Sequence, residues 1–162
     1  MSERHSAQDR RRTREFDAFV AGAAARLLHV STLLTAEPPT SNPRAQELLT
    51  TALARTYANW DRLRGDDPYD RTRRELAVRF ARGAWRHHRW AAEGVLGRLT
   101  PQERLVLVLR LYEGVAEEQA ATLLGIPPER VRAVCTRAVA VMRNSSSAPP
   151  SRLGAPTRLG TA

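Results

Sequence analysis

Three arginines late in the chain have the spacing needed to contact duplex DNA. Arg130, Arg132 and Arg137 fall on the outward side of a predicted helix whose other side is apolar. Arginine can bond guanine bidentately in the major groove, while neighbouring polar residues hold phosphates. For any single arginine, a solvated basic face is the alternative, because all 26 basic residues are arginine. The pattern as a whole favours DNA recognition by Glu129, Arg130, Arg132, Ala133, Thr136 and Arg137.

The segment that would position these arginines reads as a helix-turn-helix with a supporting helix. Thr100 and Glu103 have the spacing of a capping box around a proline, which predicts a helix start. Gly114 is expected to end that helix. A second, short helix over 117–124 then leads to Gly125, which suits the left-handed residue of a tight turn. The last helix is predicted to run to residue 143.

Three further helices are predicted upstream. The first is expected from Thr13, the second from an N-cap at Asn42, and the third from a cap formed by Asp67 with Asp70. The fold is therefore predicted to be all-α, with two small helical domains of which the second is a helix-turn-helix. The expected boundaries are a disordered basic tail over 1–12, a helical domain over 13–90, a short linker over 91–99, a helix-turn-helix domain over 100–143 and a disordered tail over 144–162.

The predicted third helix alternates arginines with aromatic residues. This combination suits a single-stranded nucleic acid, because bases stack on rings while phosphates meet arginines. The alternative is that the aromatics belong to the core, and it is preferred for Phe80 and Trp85, which share the apolar face; Trp90 is more open. The candidate nucleic-acid contacts here are Arg73, Arg74, Arg79, Arg82, Trp85 and Arg86.

Composition agrees with a polyanionic partner. The 162-residue chain carries a formal net charge of +9, which favours nucleic acid, with a membrane surface as the competing polyanion. No apolar run approaches the roughly 20 residues that span a bilayer, and the first residues lack the apolar core of a signal peptide. We therefore expect a cytoplasmic protein with no membrane insertion.

Nothing in the sequence has the pattern of a catalytic site. It contains no Gly-rich phosphate loop, nucleophile elbow or metal-ligand cluster. Cys135 lies on the apolar stripe of the last helix, which favours a buried structural thiol. His87 and His88 would point about 100° apart on a helix and suit joint chelation poorly. We expect no enzymatic activity, no catalytic residue, no metal and no cofactor.

With both halves placed, the chain resembles bacterial RNA polymerase sigma factors of the extracytoplasmic-function group, in its SigE-like branch. The resemblance covers about residues 14–143. The run ELLTTALARTYANWDRLRGDDP is similar to the polymerase-binding helix and following turn of region 2, and RRELAVRFARGAWRHHR is similar to the segment that melts and reads the −10 element. The run LTPQERLVLVLRLYEGVAEEQAATLLGIPPERVRAVCTRAVAVMR is similar to region 4, the reader of the −35 element.

The resemblance implies partners and a mechanism. Region 2 is expected to dock on the RNA polymerase core and to capture flipped bases of the non-template strand, while region 4 positions the −35 duplex of promoter DNA. An anti-sigma factor is a further expected partner, since this group is commonly held inactive by one. The implied polymerase contacts are Glu47, Leu48, Leu49 and Thr50.

Some residues depart from the family pattern. The run 47–50 stands where the family usually shows Asp, a hydrophobic residue, Val and Gln, while Arg79 replaces an asparagine and Ala116 replaces a capping serine. The roughly ten residues between the halves reach at most about 35 Å, whereas promoter elements two helical turns apart are separated by roughly 70 Å. A degenerate sigma-like regulator that binds polymerase or DNA without initiating transcription is therefore the main alternative, and a helical interaction module is the third.

Overall fold

The computed structural model describes residues 2–63, 65–83 and 92–146. All regular secondary structure in these ranges is helical, which confirms the all-α prediction. A π-helical turn over Val108–Tyr112 continues the fourth helix, and short 3₁₀ turns lie at Trp60–Arg62 and Leu96–Arg98. The six helices of the described ranges are α1 (Ser2–Thr35), α2 (Pro43–Ala58), α3 (Pro68–Arg82), α4 (Pro101–Leu107), α5 (Glu117–Leu124) and α6 (Pro128–Ser146).

The first helix begins much earlier than the sequence predicts. α1 starts at Ser2 and, with 34 residues, is about 51 Å long. Arg12 anchors this end: its guanidinium lies 4.3 Å from the centre of the Tyr57 ring and donates to the Tyr57 carbonyl at 2.6 Å and to Asp61 at 3.3 Å. The prediction of disorder over 1–12 is wrong for residues 2–12, which belong to α1, and Arg12 at the end of this segment is held by a contact remote in sequence. The C-terminal tail prediction is wrong for 144–146, which belong to α6, and 147–162 lie outside the described residues.

The second helix is capped by a residue that the sequence analysis missed. Asn42 occupies the N-cap position without making a side-chain cap bond, and its amide instead donates to Thr32 at 3.1 Å. The nearly buried carboxylate of Glu37 accepts the backbone N–H groups of Arg44 and Ala45 at 3.2 and 2.8 Å. A negative charge at a helix N-terminus is favoured by the helix dipole, so the preceding loop supplies the cap.

The two halves of the chain share one apolar core. We call α1–α3 the N-terminal unit and α4–α6 the C-terminal unit. α1 and α3 pack against α4, and α3 also packs against α5. Burying a large apolar side chain contributes about 1.5–3 kcal/mol, so contacts shared by the units stabilise both. Fully or almost fully buried members of this core are Leu27, Val30, Leu34, Leu76, Phe80, Leu105, Val106, Leu109 and Val131.

The described part of the connection between the units is folded onto them. The backbone N–H of Glu93 donates to the carbonyl of Ala36, at the end of α1, at 3.0 Å. Arg104, which is 2% exposed, donates from α4 to the carbonyls of Leu96 and Leu99 at 3.3 and 3.5 Å. Residues 92–99 therefore form a structured turn, fastened at both ends by hydrogen bonds.

By length and composition alone, the segment His5–Thr35 of α1 is long and apolar enough to cross a membrane. This corrects the expectation that no apolar run is long enough. The same helix supplies Leu27, Val30 and Leu34 to the shared core, and a core helix of a soluble protein passes the same test. One third of the apolar stretch is thus buried inside the molecule.

Candidate nucleic-acid interface

The helix-turn-helix is formed by α5, the turn at Gly125 and α6. Gly125 adopts the left-handed conformation with φ of +66°, as its position in the sequence predicts. Ala120 and Ala121 on α5 pack against the core, and Val131 on α6 is fully buried beside them. The predicted capping box of the supporting helix is also present, joining Thr100 and Glu103 in both directions. The sequence therefore predicted the scaffold of this unit correctly.

All six residues of α6 that are predicted to contact DNA are exposed to solvent. Val131, Val134 and Ala138 point into the core, which fixes the rotation of the helix and turns the polar side outward. The side chain of Arg130 makes no hydrogen bond or ion pair with any part of the chain that the structure describes. The exposed residues are Glu129, Arg130, Arg132, Ala133, Thr136 and Arg137.

Two of the three α6 arginines are held by acidic residues of their own unit. Arg132 donates to both carboxylate oxygens of Glu117, at 2.7 and 3.2 Å, and this hydrogen bond and charge raise the pKa of Arg132. Arg137 pairs with Glu103 at 3.0 Å. Both arginine side chains stay more than 70% exposed, whereas the side chains of Glu117 and Glu103 are only 14% and 8% exposed. The guanidinium groups are therefore accessible to a phosphate or a base edge, which would have to compete with these carboxylates.

The α3 arginines fall into different environments. Arg74 and Arg82 are exposed, as a nucleic-acid contact requires. Arg73 is mostly covered and pairs with Asp70 at 3.0 Å and with Glu113 at 3.3 Å. Arg79 is half-buried, and its Nε has no hydrogen-bond partner within the described ranges. The structure therefore leaves two of the four available to a ligand in this conformation.

The aromatic residues of the predicted third helix are only partly described. Phe80 is fully buried in the shared core, which confirms the core interpretation for that residue. Trp85, Arg86 and Trp90 lie outside the described residues, as does the pair of histidines at 87–88. Of the surface predicted to bind a single strand, the exposed part that the structure describes consists of Arg74 and Arg82.

The implied polymerase contacts on α2 divide between surface and core. Glu47 and Thr50 are exposed. Leu49 is only 7% exposed and belongs to the core, and Leu48 packs against that core while remaining partly accessible. Leu49 faces the core in this conformation, since the helix rotation that exposes its two polar neighbours turns it inward, and the polymerase contact itself stays a prediction.

An acidic residue that the sequence analysis did not single out joins the two units. Glu113 follows the π-helical turn, and its fully buried carboxylate accepts hydrogen bonds from Arg26 at 3.2 Å, Tyr69 at 3.0 Å and Arg73 at 3.3 Å. All three donors belong to the N-terminal unit. Burial and the charge of Glu113 raise the pKa of Tyr69 far above its ordinary value, so the phenol stays protonated and donates. We call Glu113, Arg26, Tyr69 and Arg73 the Glu113 cluster.

The sequence carried only a weak signal for this cluster. Glu113 stands just before Gly114, and the only basic residue three or four positions away is Arg110. The sequence therefore gives no indication of Arg26, Tyr69 or Arg73 as partners. Its orientation comes from the π-helical turn, in which its N–H bonds to the Val108 carbonyl at 2.9 Å. π-turns inside helices are frequent at functional sites, but their positions do not follow from hydrophobic periodicity.

The described residues offer little for metal or thiol chemistry. Within them, no group of three or more His, Cys, Asp or Glu residues is placed to hold a metal ion. Cys135 is half-buried on α6, and burial raises the pKa of its thiol above the ordinary value. A thiol of raised pKa is a poor nucleophile at neutral pH because little thiolate is present.

Comparison with known proteins places this architecture in a functional context. Residues 95–144 match the family model described as sigma-70, region 4, which coincides with the C-terminal unit. The chain is 29% identical to the RNA polymerase sigma-E factor of Streptomyces coelicolor, in an alignment that covers 80% of this chain and 84% of that protein. The RNA polymerase sigma-E factor of Streptomyces avermitilis is 28% identical, with 80% of this chain and 83% of that protein covered.

Proposed function

We infer that this chain is an RNA polymerase sigma factor of the extracytoplasmic-function type, which directs promoter recognition and the start of transcription. One observation carries this conclusion: the segment that matches sigma-70 region 4 folds as a helix-turn-helix whose last helix exposes Arg130, Arg132 and Arg137 on one face. A buried apolar stripe and an exposed basic face on the same helix are what recognition in the major groove requires.

The C-terminal unit reads the −35 duplex in this proposal. α6 enters the major groove, and Arg130 at its start is free to reach a base edge or a phosphate. Arg132 and Arg137 leave Glu117 and Glu103 and join the contact, and each phosphate neutralised releases counterions from the DNA. α5 lies across the DNA backbone, as the first helix of such a motif does.

The N-terminal unit binds polymerase and the melted −10 strand. Exposed Arg74 and Arg82 supply positive charge for the phosphates of the single strand. Unstacking a base costs a few kcal/mol, which stacking and pocket contacts offset. Glu47 and Thr50 form the exposed part of the proposed polymerase contact on α2. Sigma factors are non-enzymatic regulators, so bond formation belongs to the polymerase.

The expected partners follow from this role. RNA polymerase core and promoter DNA are the partners of the sigma-factor family. We further propose that the protein acts in the cytoplasm without membrane insertion and that an anti-sigma factor restrains it. Binding of an isolated anti-sigma domain to the purified chain would support that last point.

A specific observation favours a second candidate function. The two units pack on each other, and the turn over 92–99 is fastened at Ala36 and Arg104. In addition, Ala116 occupies the N-cap position of α5 and supplies no side-chain hydrogen bond there. A sigma-like regulator that binds polymerase or DNA as a closed unit, without initiating transcription, is compatible with these features.

Run-off transcription separates the two candidates. The purified chain is added to RNA polymerase core and genomic fragments, and transcripts are mapped by sequencing. Transcripts with a shared upstream sequence, absent when the chain is omitted, support a sigma factor. Co-purification with polymerase without any such transcript supports the regulator.

A further inference from the structure

The Glu113 cluster is a buried ionic contact between the unit that reads duplex DNA and the unit that carries the α3 arginines. The Glu113 carboxylate is 0% exposed, whereas the side chains of Arg26 and Arg73 remain 57% and 20% exposed. One buried anion is thus held by two cations that border solvent and by one phenol. Removing one partner of such a contact by mutation leaves a buried charge uncompensated, which is strongly destabilising.

We propose that the Glu113 cluster is an autoinhibitory latch that holds the chain in a closed form and must open for promoter binding. The inference rests on the proposed sigma-factor function. In the closed form, Glu113 is paired with Arg73, one of the arginines predicted to contact the melted strand. The same packing places α5 beside α3, across a cleft of about 510 Å³ lined by Asp70, Arg73, Arg74, Glu118, Gln119 and Thr122.

Electrostatics explain why the closed form and DNA binding compete. A phosphate approaching Arg73 or Arg74 meets the carboxylates of Asp70 and Glu118, which line the same cleft, and competes with Glu113 for Arg73. Like charges brought together cost free energy. The arginines can therefore serve either the carboxylates of the latch or the phosphates of DNA, and withdrawal of α5 removes Glu118 from the cleft.

Geometry gives a second reason. A compact chain of this length has a radius of gyration of about 15 Å, while promoter elements two helical turns apart are separated by roughly 70 Å. The units in contact cannot reach both elements. The connection at 92–99 is bonded to both units, through Ala36 of α1 and Arg104 of α4, so reaching both elements requires the units to part about this connection.

The latch is tested first by a distance that does not depend on transcription. Dyes are attached to Ala54→Cys on α2 and Ala140→Cys on α6 in a Cys135→Ser background, since both alanines are exposed. Energy transfer is compared for the parent, Glu113→Gln and Tyr69→Phe. Tyr69→Phe keeps the ring and removes only the hydrogen bond, so it covers the case in which the first variant fails to fold. Glu15→Gln, which removes an exposed acid of α1, is the matched control.

We expect high energy transfer in the parent and the control, a marked loss in Glu113→Gln and a smaller loss in Tyr69→Phe. Circular dichroism checks that the helices persist. Equal energy transfer in all folded proteins would overturn the latch, and so would low transfer in the parent.

A reversible cross-link then tests the autoinhibition. The rings of His29 and Tyr112 lie 5.2 Å apart across the units, so His29→Cys and Tyr112→Cys in the Cys135→Ser background can be joined by a bismaleimide with a reducible disulfide. The cross-linked protein is expected to lose at least about ten-fold in run-off transcription, and reduction should restore it. A cross-linked protein as active as the reduced one would overturn autoinhibition.

The two arms separate failure of the latch from failure of the proposed function. If neither the parent nor the reduced protein supports transcription, the sigma-factor proposal fails, while the energy-transfer result still decides whether the latch exists. If the parent is active, Glu113→Gln is expected to raise transcription several-fold at limiting polymerase. An unchanged rate in that variant would count against inhibition by the latch.

Discussion

Arg137 on α6 forms an ion pair with Glu103, with Nε 3.0 Å from Oε1, and the same carboxylate accepts the backbone N–H of Thr100 at 2.9 Å. One glutamate thus completes the capping box of the supporting helix and holds an arginine of the proposed DNA-reading face. The two roles use different oxygens, so Arg137 can leave for a phosphate while the cap stays intact. Helix stability and DNA binding are therefore separable by mutation.

Loss of the three α6 arginines should remove most duplex binding. In Arg130→Ala/Arg132→Ala/Arg137→Ala, we expect at least ten-fold weaker binding to duplex DNA. The slope of log affinity against log salt should fall by up to about 2.7, if each arginine neutralises one phosphate. Fluorescence anisotropy over a salt series measures both. Replacing the exposed arginines Arg10, Arg14 and Arg55 by alanine is the matched control. An equal loss of DNA affinity in the control would contradict the assignment of duplex binding to α6.

The capping box can be tested without touching the arginines. Thr100→Ala removes the side-chain acceptor for the Glu103 backbone N–H, so the free energy of unfolding should fall by about 1 kcal/mol. Urea denaturation followed by circular dichroism measures it, with Thr40→Ala in an exposed loop as the control. DNA affinity at a temperature where both variants are folded should be unchanged. A stability loss no greater than that of the control would show that the cap is energetically unimportant.

The exposed face of α2 should control polymerase binding. Glu47→Arg reverses a charge on the surface without disturbing the core, so helical content should be unchanged while co-purification with RNA polymerase core is lost. Glu15→Arg, also exposed but on α1, is the control and should bind normally. Retained binding by Glu47→Arg would move the contact to another face. Thr50→Arg tests the same face one helical turn further along.

Local sequence rules predicted most of this fold, and their failures have a common cause. The capping box at Thr100 and the left-handed Gly125 follow from residue types within a few positions, and both are present. The outward set on α6 follows from a 3.6-residue period that Val131 and Ala138 keep. The position of the Arg12 side chain, by contrast, depends on a contact with Tyr57, 45 residues away. Long-range contacts of this kind leave no periodic signal.

The candidate site shows the same division. Exposure of the α6 arginines was predictable, because one buried stripe fixes the opposite face. Their pairing with Glu117 and Glu103 and the burial of Glu113 were not, because they depend on how α4, α5 and α3 pack. The inward side chain of Leu49 was missed for a related reason: a resemblance in sequence assigns a segment to a contact without giving its rotation.

Cys135 should react slowly with alkylating reagents. Burial is the main cause of its raised pKa, opposed by the nearby charge of Arg110, so less thiolate is present at any given pH than for an exposed cysteine. The rate of iodoacetamide modification should be below that of Ala140→Cys, in a Cys135→Ser background, at pH 8. It should keep rising at pH values where the exposed thiol has levelled off. Equal rates across the series would show that the thiol is not shielded.

Lengthening the connection between the units distinguishes a promoter-spanning factor from a closed regulator. Gly94 lies in a turn with φ of +68°, so about 15 flexible residues inserted after it should leave the helices intact, which circular dichroism would verify. The insertion lowers the effective concentration of one unit near the other and so favours the open form. It also lengthens the connection, whose roughly ten residues span at most about 35 Å.

For a sigma factor restrained by the Glu113 cluster, both effects of the insertion should preserve or raise transcription from a mapped promoter. A regulator that works only as a closed unit should instead lose activity, because the surface made by α3 and α5 together would be dispersed. A clear loss of transcription in a well-folded insertion variant would therefore favour the regulator. It would also indicate that the two units function without separating.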